Sequence, residues 1–80
     1  MSNEYRKQTE GEYLVGASFN PSNSSAVDEI KNKTASLIDL LMSYVQTPTS
    51  PGAREAAIAI EELESAAMWA VKAVTKQPRS

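Results

Sequence analysis

The 80-residue sequence contains no cysteine and no histidine. Without cysteine there are no disulfides and no thiolate metal sites. Without histidine the commonest general base and metal ligand is gone. Positive charge is also in short supply: eight Lys and Arg stand against ten Asp and Glu, a formal net charge of −2. A nucleic-acid duplex, whose phosphates demand a basic surface, is therefore a poor partner. Nothing approaches the roughly 20 apolar residues of a membrane span. The opening MSNEYRKQTEGEY is too polar for a signal peptide, so the sequence reads as cytosolic. The sequons Asn23-Ser24-Ser25 and Asn32-Lys33-Thr34 are then chance matches. A chain this short holds one domain at most, and its core is marginal. With disulfides excluded, self-association is the remedy left.

What is present is helical periodicity. Residues 1–18 are charged and lack a helical period, and they read as an N-terminal arm. Asn20-Pro21 looks like a helix start, because Asn caps well and Pro suits the first helical position. Val27, Ile30, Thr34, Leu37, Ile38, Leu41, Tyr44 and Val45 then recur at steps of three and four. QTPTS breaks the pattern, and Ser50-Pro51 repeats the start signal. Ile60, Leu63, Ala67, Ala70, Val71 and Val74 mark a second stripe, with Lys72 and Lys76 opposing the dipole of its last turns. Pro78 ends any helix. Two helices of about 25 residues joined by a short link favour an antiparallel hairpin. The expected fold is therefore all-α: an arm over 1–18 and a helical hairpin over 19–77, assembled into a homo-oligomer.

The second helix carries the argument for assembly. Ile58 and Trp69 fall nearly opposite its main stripe, with Met68 on a flank, and a helix apolar on two sides needs two partners. Ile58, Met68 and Trp69 are the expected oligomer interface. Two alternatives stay open: the arm folds over Trp69, or the Ile58/Trp69 face docks a different protein and the chain is a structural or adaptor module.

Catalysis has little to work with. There is no nucleophile–base pair with histidine, no Gly-rich phosphate loop and no metal-ligand cluster, so no catalytic residues, metal or cofactor are expected. A phosphodiesterase would need such a set. Glu61, Glu62 and Glu64 read as a solvated face. Binding has more. Lys31 falls at the edge of the apolar stripe, near Ile38 and Met42 in angle, while Lys33 points away. Lys31 either snorkels to water or meets a phosphate at a subunit boundary, where a symmetric assembly can gather lysines from two chains. A helix start at Asn20-Pro21-Ser22 would add free N–H groups for an anion. Phe19 offers a flat face on which a base can stack, or else a hydrophobic staple onto Val27.

FNPSNSSAVDEIKNKTASLIDLL followed by GAREAAIAIEELESAAMWAVKAVTK resembles the phage anti-CBASS cyclic-oligonucleotide sponges, helical-hairpin proteins that capture immune second messengers. The likeness runs from Phe19 to Lys76. Its most specific elements are the FNPS entry, DEIK, and the EEL-ESAAMWAVKA segment. The resemblance implies a homohexamer that holds cyclic dinucleotides such as cyclic GMP-AMP between protomers without cleaving them, in the cytoplasm of the infected bacterium. It implies a stacking aromatic ahead of the first long helix and a ligand-contacting lysine in that helix's N-terminal half. The lysine maps onto Lys31, and the aromatic maps best onto Phe19, with Tyr13 as the alternative. Asn20 and Pro21 complete the expected ligand-binding set. Some members hold cyclic trinucleotides at a second site built with an arginine. Here that stretch reads AIAIEELES, and Arg54 lies about two turns before it, so this partner is the weaker implication.

Overall fold

The computed structural model describes residues 7–47 and 49–79; residues 1–6 of the expected arm and Pro48 of the expected helix break lie outside them. Among the described residues there are three helices and no strand: α1 (Glu10–Val15), α2 (Ser25–Val45) and α3 (Ala53–Thr75). α2 and α3 pack on each other as a hairpin joined by residues 46–52, and α1 lies chiefly against α2. The hairpin is antiparallel: Val27 near the start of α2 shares a cleft with Val71 and Thr75 at the end of α3, while Leu41 and Tyr44 share another with Ala56.

The arm is not structureless. Thr9 caps α1 by accepting from the Glu12 N–H at 3.0 Å, and Glu12 Oε1 accepts from the Thr9 N–H at 3.0 Å. This reciprocal pair satisfies two otherwise orphan donors of a very short helix. The other end closes at Gly16, whose φ of 64° is the left-handed conformation that glycine adopts without a Cβ penalty. The Ala17 N–H then reaches the Glu12 carbonyl at 2.9 Å and the Gly16 N–H reaches that of Tyr13 at 3.2 Å, a Schellman closure. TEGE and Gly16, seven residues after Thr9, carried this signal in the sequence, but without apolar periodicity it passes for irregular chain.

α1 changes which face of α2 is buried. The innermost residues of α2 are Val27, Lys31, Ala35 and Ile38, and those of α3 are Ala56, Ile60 and Ala67. Leu37 and Tyr44, expected in the stripe, are 44% and 49% exposed. A stripe read from large apolar residues points midway between α3 and solvent. The real one is turned toward Ala35, because α1 covers that side. Lys31 is thus within the buried stripe, not at its edge. On α3 Val74 is likewise exposed, at 45%.

The helix starts also differ from expectation. α2 begins at Ser25 with Ser24 as cap, its Oγ accepting from the Val27 N–H at 3.3 Å. Asn20 and Pro21 lie a turn earlier. Asn23 takes a positive φ of 59° between them and the helix, which interrupts any helix begun at Pro21. α3 begins at Ala53 with Gly52 as cap and no side-chain bond, so Ser50-Pro51 belongs to the preceding turn.

Candidate ligand-binding site

The connection from α1 to α2 runs through Gly16, Phe19 and Asn20, and Lys31 rises beneath it from the first half of α2. Lys31 is only 9% exposed. A buried cation demands partners. Its Nζ donates to the Gly16 carbonyl at 3.0 Å and to the Phe19 carbonyl. It also stands over the Phe19 ring, 5.4 Å from the centroid, within cation–π range. The ring itself remains 69% exposed. The structure therefore brings Phe19 and Lys31 together, across a gap of twelve positions in sequence.

Asn20 and Pro21 form the neighbouring rim. The Asn20 amide nitrogen donates to the Ser24 carbonyl at 2.8 Å and to Asp28 Oδ1 at 2.9 Å, and its Oδ1 accepts from Ser22 Oγ at 2.8 Å. Residues 20–22 are a turn rather than a helix N-terminus, so they do not present the row of free N–H groups expected of one.

Two clefts flank Lys31. One, of about 250 Å³, is lined by Phe19, Asn20, Pro21, Val27, Val71 and Thr75 besides Lys31. The other, of about 310 Å³, is lined by Leu14, Val15, Glu64, Ala67, Met68 and Val71 on the other side of the same lysine. The participation of α1 and of Glu64 was not legible in the sequence, since both depend on how α1 docks. Tyr13 is as exposed as Phe19 but lines neither cleft. Ile58, Met68 and Trp69 are 42%, 68% and 68% exposed, and Lys72 Nζ lies 5.4 Å from the Trp69 ring centroid. Arg54 is at the far end of α3, 3.6 Å from Glu55. Among the described residues no group of His, Cys, Asp and Glu could hold a metal ion, and no helix is long and apolar enough to cross a membrane.

Such a fold and site define a small helical binding module: a hairpin with a cation-backed aromatic at one end and open apolar clefts beside it. Residues 12–75 match the Acb2/Tad1 hairpin domain. The chain therefore belongs to the Acb2/Tad1 family, the phage anti-CBASS sponges for cyclic oligonucleotides. This is the family that the FNPS, DEIK and EEL-ESAAMWAVKA segments resemble. Its members bind their ligands and are not enzymes. Among curated proteins and solved structures, none matches the chain significantly.

Proposed function

We propose that this protein sequesters cyclic dinucleotides, such as cyclic GMP-AMP, by stoichiometric binding without cleavage, and so blocks CBASS signalling in the cytoplasm of the infected bacterium. The observation that carries the reading is the family match across residues 12–75. The local geometry supports it. Phe19 offers an exposed ring for a base, Lys31 supplies positive charge directly behind it, and Asn20 and Pro21 form the rim. Phe19 is favoured over Tyr13 because it adjoins the lysine and lines a cleft.

Each cleft, at about 250 and 310 Å³, is at or below the lower limit of ordinary ligand pockets. A ligand with two bases, two sugars and two phosphates needs more wall than one protomer provides. A homo-oligomer, a hexamer by family resemblance, supplies it, with Ile58, Met68 and Trp69 at the contact between protomers. Arg54, beside Glu55 near the hairpin turn, gives cyclic trinucleotides the weaker case.

Calorimetry with cyclic GMP-AMP, followed by denaturation and recovery of the ligand, tests the proposal. Heat of binding and intact ligand are expected. No heat, or linear product, would count against a sponge. Light scattering separates the adaptor alternative, since a clean monomer would leave Trp69 as a docking residue for another protein.

A further inference from the structure

We infer that Glu64 is a ligand-binding residue, the acceptor that reads a guanine edge in the cleft beside Lys31, and that it gives the protein a preference for guanine-containing cyclic dinucleotides. The inference rests on the ligand reading above for the class of what binds.

Glu64 occupies a position where an apolar residue is expected. Ile60, Glu64, Ala67 and Val71 follow one another at steps of four, three and four, the spacing of a helix stripe. Ile60 and Ala67 on either side of it are buried, and Glu64 itself is half-buried. The buried stripe of α2 holds a charge too, Lys31. Pairing the two would be the ordinary way to accommodate opposite charges within a hairpin. That pair is not made. Lys31 Nζ donates to the Gly16 and Phe19 carbonyls instead. Among the described residues Glu64 has neither a hydrogen bond nor an ion pair. Its neighbours three and four positions away are Ile60, Glu61, Ala67 and Met68, none of them a cation. A part-buried carboxylate without a donor is costly. Natural proteins break a local rule in this way chiefly at functional sites.

The surroundings say what the carboxylate can take. Glu64 lines the cleft of about 310 Å³, whose other walls are Leu14, Val15, Ala67, Met68 and Val71 besides Lys31. The Phe19 cleft on the other side of the lysine has no carboxylate among its lining residues. A cyclic dinucleotide carries two bases about a ring that holds its phosphates. A phosphate at Lys31 sets one base toward Phe19 and the other toward Glu64. A carboxylate accepts hydrogen bonds and donates none. It repels phosphate and favours a base edge with adjacent N–H donors. Guanine has two such donors, N1–H and the N2 amino group. Adenine has one amino group beside the N1 acceptor, and that acceptor would face a carboxylate oxygen, lone pair to lone pair. A good two-bond base contact discriminates by about 5- to 150-fold.

The experiment is calorimetry on the 80-residue chain with cyclic GMP-AMP, cyclic di-GMP and cyclic di-AMP. The wild-type protein should bind the two guanine-containing ligands at least about 5-fold more tightly than cyclic di-AMP. Glu64→Gln keeps the shape but replaces one acceptor oxygen with an amide donor, which suits adenine and opposes guanine. It should weaken cyclic di-GMP binding and strengthen cyclic di-AMP binding, while helical circular dichroism and oligomer mass stay unchanged. A change of sign between two ligands is something a merely structural role would not produce. Equal weakening of all three ligands, no change in any, or loss of the oligomer would overturn the inference. So would a wild-type protein that binds all three alike, a comparison that needs no variant, and this outcome would leave the ligand reading standing. A wild-type protein that binds none of the three would defeat the ligand reading and the role of Glu64 with it.

Discussion

A Cβ placed on Gly11 would lie 2.2 Å from the Ala35 carbonyl oxygen and 2.8 Å from Asp39 Oδ1. The Gly11 N–H donates to that same Asp39 oxygen at 2.7 Å, so the close approach is also a hydrogen bond between α1 and α2. Gly11→Ala must push α1 away from backbone that cannot yield. It should cost about 1–3 kcal/mol in urea unfolding, the usual range for overpacking. Ile38, fully buried, should cost about 2–5 kcal/mol when cut to Ala, read in the same way. Phe19 is the opposite kind of residue, exposed and with little packing to lose. Phe19→Ala should leave the unfolding midpoint and the oligomer unchanged and weaken cyclic dinucleotide binding by about 1–3 kcal/mol, the range for base–aromatic stacking, measured by calorimetry.

At the scale of elements, α2 depends on a competition among neighbouring caps. Asn20, Ser22, Asn23 and Ser24 are all capping residue types, and Pro21 adds weight to the earliest of them. Ser24 wins because the Asn20 amide is engaged with the Ser24 carbonyl and Asp28, which folds residues 20–23 into a turn. Ser24→Ala should therefore cost about 1 kcal/mol of stability by thermal melting, the ordinary value of an N-cap. Further along α2 the Lys33–Glu29 pair at 2.7 Å is fully at the surface. Its hydrogen bond holds the Glu29 carboxyl below its ordinary value and Lys33 above its own. What the lowered carboxyl contributes is present above the unfolded carboxylate value and lost as pH falls through the folded one. Salt screens an exposed pair, so Glu29→Gln should match the wild-type melting midpoint at high salt.

The long helices were legible because their apolar residues keep a 3.6-residue period across twenty or so positions. α1 was not, because six residues are too few for a period. Missing α1 had one physical consequence that ran through everything else. Lys31 and Ala35 took their burial from it, so the stripe of α2 was read too far toward Leu37 and Tyr44. The pairing of Phe19 with Lys31 was legible as a juxtaposition at a helix start. The carbonyls that the lysine holds were not, since backbone acceptors leave no trace in residue type.

As a whole the molecule is a slab of 52 × 39 × 12 Å. Its thickness is that of one helix, so the three helices form a single layer with no second layer to cover either broad side. The accessible surface is 6208 Å², against about 4,700 Å² expected for a compact monomer of 8.7 kDa. Leu37, Leu40 and Tyr44 on α2 and Ile58, Met68 and Trp69 on α3 are among the large apolar residues that layer leaves open. Replacing one of them with a charge should not disturb the protomer but should disfavour its burial against another. Trp69→Glu is expected to lower the mass seen by light scattering while leaving helical circular dichroism unchanged, with ligand affinity falling as the intersubunit wall is lost. The most direct measurement is the native mass of the full-length protein with and without cyclic GMP-AMP. The account predicts a multiple of the protomer mass that gains whole ligand masses, with the intact cyclic dinucleotide recovered on denaturation. A protomer-mass species that takes up no ligand, or one that releases linear product, would contradict it.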